Sequence, residues 1–136
     1  MLKYMLDTNI VIYVIKRRPI EVLDTFNKKT GSMCISAITL SELLHGAEKS
    51  SRPEHNLQVV DDFISRLEVL NYEPKAASHY GDIRAELERA GTPIGVNDLH
   101  IAAHARAEGL TLVSNNLKEF NRVSGLRTEN WIAPSS

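Results

Sequence analysis

The sequence predicts a single α/β domain, residues 1–136, built on a mostly parallel sheet, and three observations carry that prediction. Short apolar runs suited to buried strands recur along the chain: Met5-Leu6, Met33-Cys34-Ile35, Val69-Leu70 and Leu110-Thr111-Leu112-Val113. Stretches with helical apolar spacing separate them, and this alternation is what builds parallel sheets. Finally, Asp7, Ser36 and Ser114 close three of the runs. They would stand at the carboxyl edge of the strands, where open α/β sheets bind their ligands. At 136 residues the chain is long enough to bury one core of ordinary size.

Taken in order, Met5-Leu6-Asp7 ends a first strand. Ile10 to Ile15 is rich in β-branched residues and suits a strand or a helix. Lys16-Arg17-Arg18-Pro19 decides for a helix, since it supplies cations for a C-terminus and then a proline stop. A polar loop through Lys28-Lys29-Thr30-Gly31 leads to the second strand, Met33 to Ser36, with Ser36 placed to cap a helix running through Gly46-Ala47. Leu57, Val60, Phe63-Ile64 and Leu67 recur at helical spacing as a core stripe, and Glu68-Val69-Leu70 follows as a brief strand. Pro74 opens a helix that turns Tyr80, Ile83 and Leu87 inward and ends at Gly91. Asn97 or Asp98 would cap the next helix, which ends at Gly109. Leu110 to Ser114 is the clearest strand. Leu126-Arg127-Thr128 and Trp131 would add an edge strand, and Pro134-Ser135-Ser136 would be loose.

Composition narrows the function classes. A formal net charge of -1 gives no whole-molecule attraction to nucleic acid or membrane, so a polyanion would have to be held locally. Cys34 is alone and cannot form an intrachain disulfide, which points to a reducing compartment. An acid at position 7 interrupts any signal-peptide core, and no run of apolar residues is long enough to span a bilayer. A cytoplasmic protein without membrane contact is the expectation.

The acids are the informative residues. Asp7 either caps the helix after it or does chemistry at the strand end. Glu42 lies inside its helix, although Thr39-Leu40-Ser41-Glu42 also matches a capping box. Asp98 heads the apolar stripe of Ile101, Ala102 and Ala105, where an inward carboxylate is costly without a donor or cation. Glu119 follows the last long strand, with Ser114 and Asn116 nearby. His100 and His104 have the spacing of a zinc pair, but no third ligand accompanies them and they lie opposite Asp98, so they read as surface residues. Converging carboxylates repel one another unless a cation stands between them, and oxygen-only ligands select hard ions such as Mg²⁺ or Mn²⁺. Such an ion can activate water for in-line displacement at phosphorus, so the implied chemistry is phosphodiester hydrolysis.

Four stretches in register, Met5-Leu6-Asp7-Thr8-Asn9, Ser36-x-Ile38-Thr39-x-x-Glu42-Leu43, Ile94-Gly95-x-Asn97-Asp98-x-x-Ile101-Ala102-Ala103-His104-Ala105 and Leu112-Val113-Ser114-Asn115-Asn116-x-x-Glu119-Phe120, resemble the PIN domain. The resemblance is to the VapC toxins of type II toxin–antitoxin systems and covers nearly the whole chain. It implies a three-layer α/β/α fold and a Mg²⁺-dependent endoribonuclease, with Mn²⁺ able to substitute. Structured RNA such as tRNA would be the substrate, and the products would carry 3′-hydroxyl and 5′-phosphate ends. The protein would be a homodimer silenced by a VapB antitoxin. Asp7 and Asp98 would be metal ligands, with Glu42 and either Glu119 or Asn116 completing the catalytic set. Thr8, Ser114 and Asn116 would hold carboxylates or position substrate. One departure is that many PIN domains place an aspartate where this chain has Asn115-Asn116.

Lys16, Arg17, Lys118 and Arg122 are candidates for phosphate contacts. Tyr13, Val11 and Ile15, with Leu43-Leu44 and Phe63, would form a groove for an amphipathic antitoxin segment. Two other classes stay in view: a PIN fold kept only for binding a partner, and a phosphotransfer protein phosphorylated on Asp7. Against the second, Asp7-Thr8-Asn9 lacks the acid two residues on that aspartyl-phosphate hydrolases carry.

Overall fold

The computed structural model describes residues 1–132, and the expectation for the tail at 134–136 lies outside them. Among the described residues, five parallel strands stand in the order β3-β2-β1-β4-β5. They are β1 (Tyr4–Leu6), β2 (Met33–Ser36), β3 (Glu68–Leu70), β4 (Thr111–Val113) and β5 (Thr128–Glu129). The helices between them are α1 (Thr8–Lys16), α2 (Ile20–Lys28), α3 (Ala37–Glu48), α4 (Pro53–Ile64), α5 (Pro74–Arg89), α6 (Val96–Ala107) and α7 (Leu117–Phe120). The chain builds outward from β1 to β3 and then returns to β4 on the other side of β1. The direction of winding therefore reverses between β1 and β4, where a doubly wound sheet opens its crevice.

Strand side chains alternate between two cores, because successive Cβ atoms point to opposite faces of a sheet. Met5, Cys34 and Leu112 join α5, α6 and Phe120 on one face; Leu6, Ile35 and Val113 join α1 to α4 on the other. Apolar on both faces, these strands read as continuous runs, and three layers result. Ile83 on α5 is 2% exposed in the first core. Ile83→Val is expected to cost about 0.5–1.5 kcal/mol, read by urea denaturation.

Local signals account for most of the helix ends. Arg17 caps α1 in the left-handed region (φ 59) and donates its backbone N–H to Tyr13 and Val14. Ser36 caps α3, so that helix begins at Ala37 and the late start implied by a capping box at Thr39 does not occur. Neither Asn97 nor Asp98 caps α6: Gly95 takes that position and both lie in the first turn. Helix α2 stands where no element was expected. Its buried side chains, Val22 and Phe26, stand four apart on one face, and Leu23 packs against the same core, so a short amphipathic stripe sits among polar residues. No helix among the described residues is long and apolar enough to cross a membrane.

Candidate active site

The crevice between the ends of β1 and β4 is built by five chain segments. Asp7 ends β1, its backbone N–H donating to the Val113 carbonyl at 3.0 Å, so the sheet ladder fixes its position. It is only 4% exposed. Its side chain also caps α1, Oδ1 accepting the Ile10 N–H at 2.9 Å. Capping and a place in the crevice thus fall to the same carboxylate. Burial pushes its pKa up and Glu42 adds to that, while the Ser114 hydroxyl and the Ile10 and Asn9 amides oppose it.

Glu42 reaches in from the second turn of α3 and is held on both oxygens. Thr8 Oγ1 donates to Oε1 at 2.5 Å, and Asn97 Nδ2 donates to Oε2 at 3.1 Å. Asp98 projects from the first turn of α6. Burial first, and then the charges of Glu119, Asp7 and Glu42, raise its pKa to about 6; a hydrogen bond from its protonated form to Glu119 acts in the same direction. Glu42 is bonded to Thr8, the neighbour of Asp7, and to Asn97, the neighbour of Asp98, so these three acids meet at one crevice, and Ser114 leads the chain from β4 into α7 and Glu119. The ion pairs among the described residues, Lys75–Glu108, Arg84–Glu88 and Arg106–Asp82, involve none of them.

The remaining expected residues divide. Ser114 is fully buried at the end of β4, and its Oγ accepts the Asn116 N–H at 2.8 Å, bending the chain into α7 and Glu119. Asn116 stands at the cap position of α7 without a side-chain capping bond. Among the four basic residues, Lys16 lines a groove together with Thr8 and Glu42, whereas Arg17 lines a different groove. Arg122 is spent on the Pro93 carbonyl at 3.1 Å.

Two expectations fail. Val11 belongs to the core at 0% exposure and lines neither groove, and the expected surface divides in two, with Phe63 and Ile15 lining the groove that holds Arg17. A second groove of about 320 Å³ opens beside Thr8 and Glu42, where the expected Ile15 and Leu43 are joined by Ile12, Val59 and Val60. His104 is fully buried rather than on the surface, and His100 is half-buried against Tyr72 and Tyr80. Helix α6 is packed on nearly every side, leaving no polar face for either histidine. Asn97 was read only as a cap. Its grip on Glu42 depends on a contact 55 residues apart in sequence, and the adjacent Asp98 was the only local hint.

The donor set suits a hard divalent cation. It is oxygen-only, negatively charged and uncompensated by lysine or arginine. Among the described residues no three acidic, histidine or cysteine side chains already stand as a finished ion cage. Mutual repulsion among these acids, which raises the pKa of Asp98, is what a cation would relieve.

Fold and crevice together define a doubly wound α/β domain with a carboxylate-lined site at its switch point. The model of the PIN domain matches residues 4–126. Ribonuclease VapC2 of Haemophilus influenzae is 66% identical over 132 residues, covering 97% of this chain and 100% of that protein. The tRNA(fMet)-specific endonuclease VapC of Shigella flexneri is 57% identical over 131 residues, covering 96% and 99%. In the crystal structure of DNA-bound VapBC from Salmonella typhimurium, the matching chain superposes with a TM-score of 0.93 at 57% identity, covering 97% of this chain and 100% of that one. The chain belongs to the PIN-domain family, within its branch of VapC ribonucleases.

Proposed function

We propose that this chain, acting as one domain, is a divalent-metal-dependent endoribonuclease, the toxin of a VapBC pair. What supports the reading is the pair of hydrogen bonds that bring Glu42 beside Asp7 and Asp98, with Glu119 following on α7 and no ion pair to any of the four among the described residues. Asp7 and Asp98 would hold Mg²⁺, or Mn²⁺ in its place, with Glu42 and Glu119 completing the set. When bound, the ion supplies charge neutralisation at a scissile phosphate and a lowered pKa for the attacking water. The chain's own residues do the positioning: Thr8 and Asn97 hold Glu42, and Ser114 turns the chain so that α7 presents Glu119. No side chain needs to act as a nucleophile.

For substrate we propose tRNA, with tRNA(fMet) the first to test, because a relative 57% identical over nearly its full length carries that specificity in its name. For partners we propose a VapB-type antitoxin and a second copy of the chain. The groove that adjoins Glu42 and is lined by Ile12, Leu43 and Val60 is suited to an apolar antitoxin side chain. The test is incubation of purified protein with tRNA(fMet) and an elongator tRNA, in EDTA and in Mg²⁺, with the new ends sequenced. Fragments with 5′-phosphate and 3′-hydroxyl ends that form only with the metal are expected. Intact RNA under every metal condition would return the chain to the class of partner-binding modules.

A further inference from the structure

His104 is a fully buried polar side chain that the site described above does not use. Its Nδ1 lies 2.8 Å from Ser36 Oγ, its ring meets that of Tyr72 edge-on at 5.4 Å, and the Asn71 backbone stands on its other side. Ser36 ends β2 and caps α3, its Oγ accepting the Ile38 N–H at 3.0 Å. With the imidazole neutral and its hydrogen on Nε2, towards the Asn71 backbone, the Ser36 hydroxyl donates to Nδ1. One hydroxyl thus starts the helix that carries Glu42 and grips the helix that carries Asp98. We propose that His104 is a positioning residue for the acid cluster, fixing through Ser36 how α6 sits against α3. This deepens the ribonuclease reading and rests on it.

The geometry favours a positioning role over mere filling of space. Two side-chain bonds between α3 and α6 are seen, Asn97 to Glu42 and His104 to Ser36. They occur in opposite chain order on the two helices, so the helices run antiparallel with one bond near each end of the shared stretch. The Asn97 bond is exposed and competes with water, whereas the His104 bond is buried and correspondingly stronger. Glu42 lies six residues beyond Ser36, and Asp98 six before His104, so each carboxylate sits on a lever of roughly 9 Å from the buried tie. A small rotation about that tie changes the carboxylate spacing, and misplacements of about 1 Å can cost about 100-fold in rate.

The test compares His104→Asn, His104→Gln and His104→Leu. The Asn amide can accept from Ser36 at the place of Nδ1, while the Gln amide falls near Nε2 and the Leu side chain offers no acceptor. Mn²⁺ binding to the RNA-free protein is read by electron paramagnetic resonance, and kcat and KM are measured on tRNA with folded protein quantified by thermal melting. Gln and Leu are expected to weaken Mn²⁺ binding and lower kcat by about 10-fold or more, with KM within about twofold of the parent and Asn close to the parent on every measure. Parent-like Mn²⁺ binding and kcat per folded molecule in Gln or Leu would reduce His104 to a packing residue. If Leu does not fold, the Asn and Gln pair decides alone, and should Gln also fail, Ser36→Ala against Ser36→Thr poses the same question from the other side. A parent that neither binds Mn²⁺ nor cuts RNA would overturn the ribonuclease reading instead.

Discussion

Asp98→Asn is expected to lower RNA cleavage about 1,000-fold, roughly 4 kcal/mol of transition-state stabilisation, while leaving the metal-free protein at least as stable as the parent. Asp98 is the acid on which the charges of the other three converge, and its pKa of about 6 means the folded state resists its ionisation. The sign follows from linkage. Below about pH 3 the carboxyl is protonated whether folded or unfolded and contributes nothing. As pH rises towards 6 the unfolded chain loses the proton first, so the parent loses stability over that window. The asparagine variant lacks that slope. Its gain is small because Asp98 is only half-buried, and losing a charge in the first turn of α6 costs about 0.3–1 kcal/mol through the helix dipole.

Metal reverses the comparison. At ten times its dissociation constant a single bound ion stabilises the parent by about 1.4 kcal/mol, a rise in Tm of about 5 °C for a domain of this size. The variant should scarcely respond. Since binding requires an ionised Asp98, the parent's response to Mg²⁺ should also weaken below about pH 6. Thermal melts of both proteins in EDTA and Mg²⁺ across pH 4 to 8, paired with cleavage assays, make the measurement. An active variant with the parent's Mg²⁺ response would leave Asp98 a surface acid at a helix start.

The parallel sheet was legible because its three central strands, β2, β1 and β4, are buried on both faces and therefore appear as unbroken apolar runs ending in polar residues. Three of those ends, Asp7, Ser36 and Ser114, mark the carboxyl edge in the structure as they do in the sequence. Helix α2 was legible too, since Val22, Leu23 and Phe26 recur at helical spacing and pack into one core, but the polar residues around them masked so short a stripe. The place of His104 is set by packing rather than by spacing. Helix α6 is enclosed so completely that facing away from Asp98 does not mean facing water. The four acids could be named from the chain, but not the bonds that hold them. Thr8 and Glu42 are 34 residues apart, His104 and Ser36 68, and such pairings are set by the stacking of helices against the sheet.

Asp7 poses the complementary experiment, because one carboxylate serves both the helix and the crevice. Asp7→Asn retains an oxygen that can accept the Ile10 N–H, so α1 keeps its cap, and it removes a charge that burial already disfavours. Stability in EDTA should equal or exceed that of the parent, while cleavage falls by about 1,000-fold as for Asp98→Asn. Asp7→Ala loses cleavage to the same extent but also leaves the first turn of α1 without its acceptor, at a cost of about 1 kcal/mol relative to the asparagine variant. The signature is therefore two equally inactive proteins of unequal stability, read by urea denaturation in EDTA alongside cleavage of tRNA. Equal stability of Asn and Ala would mean that the cap contributes nothing. Cleavage surviving in Asp7→Asn would confine Asp7 to holding the end of a helix and leave the chemistry to the acids on α3, α6 and α7.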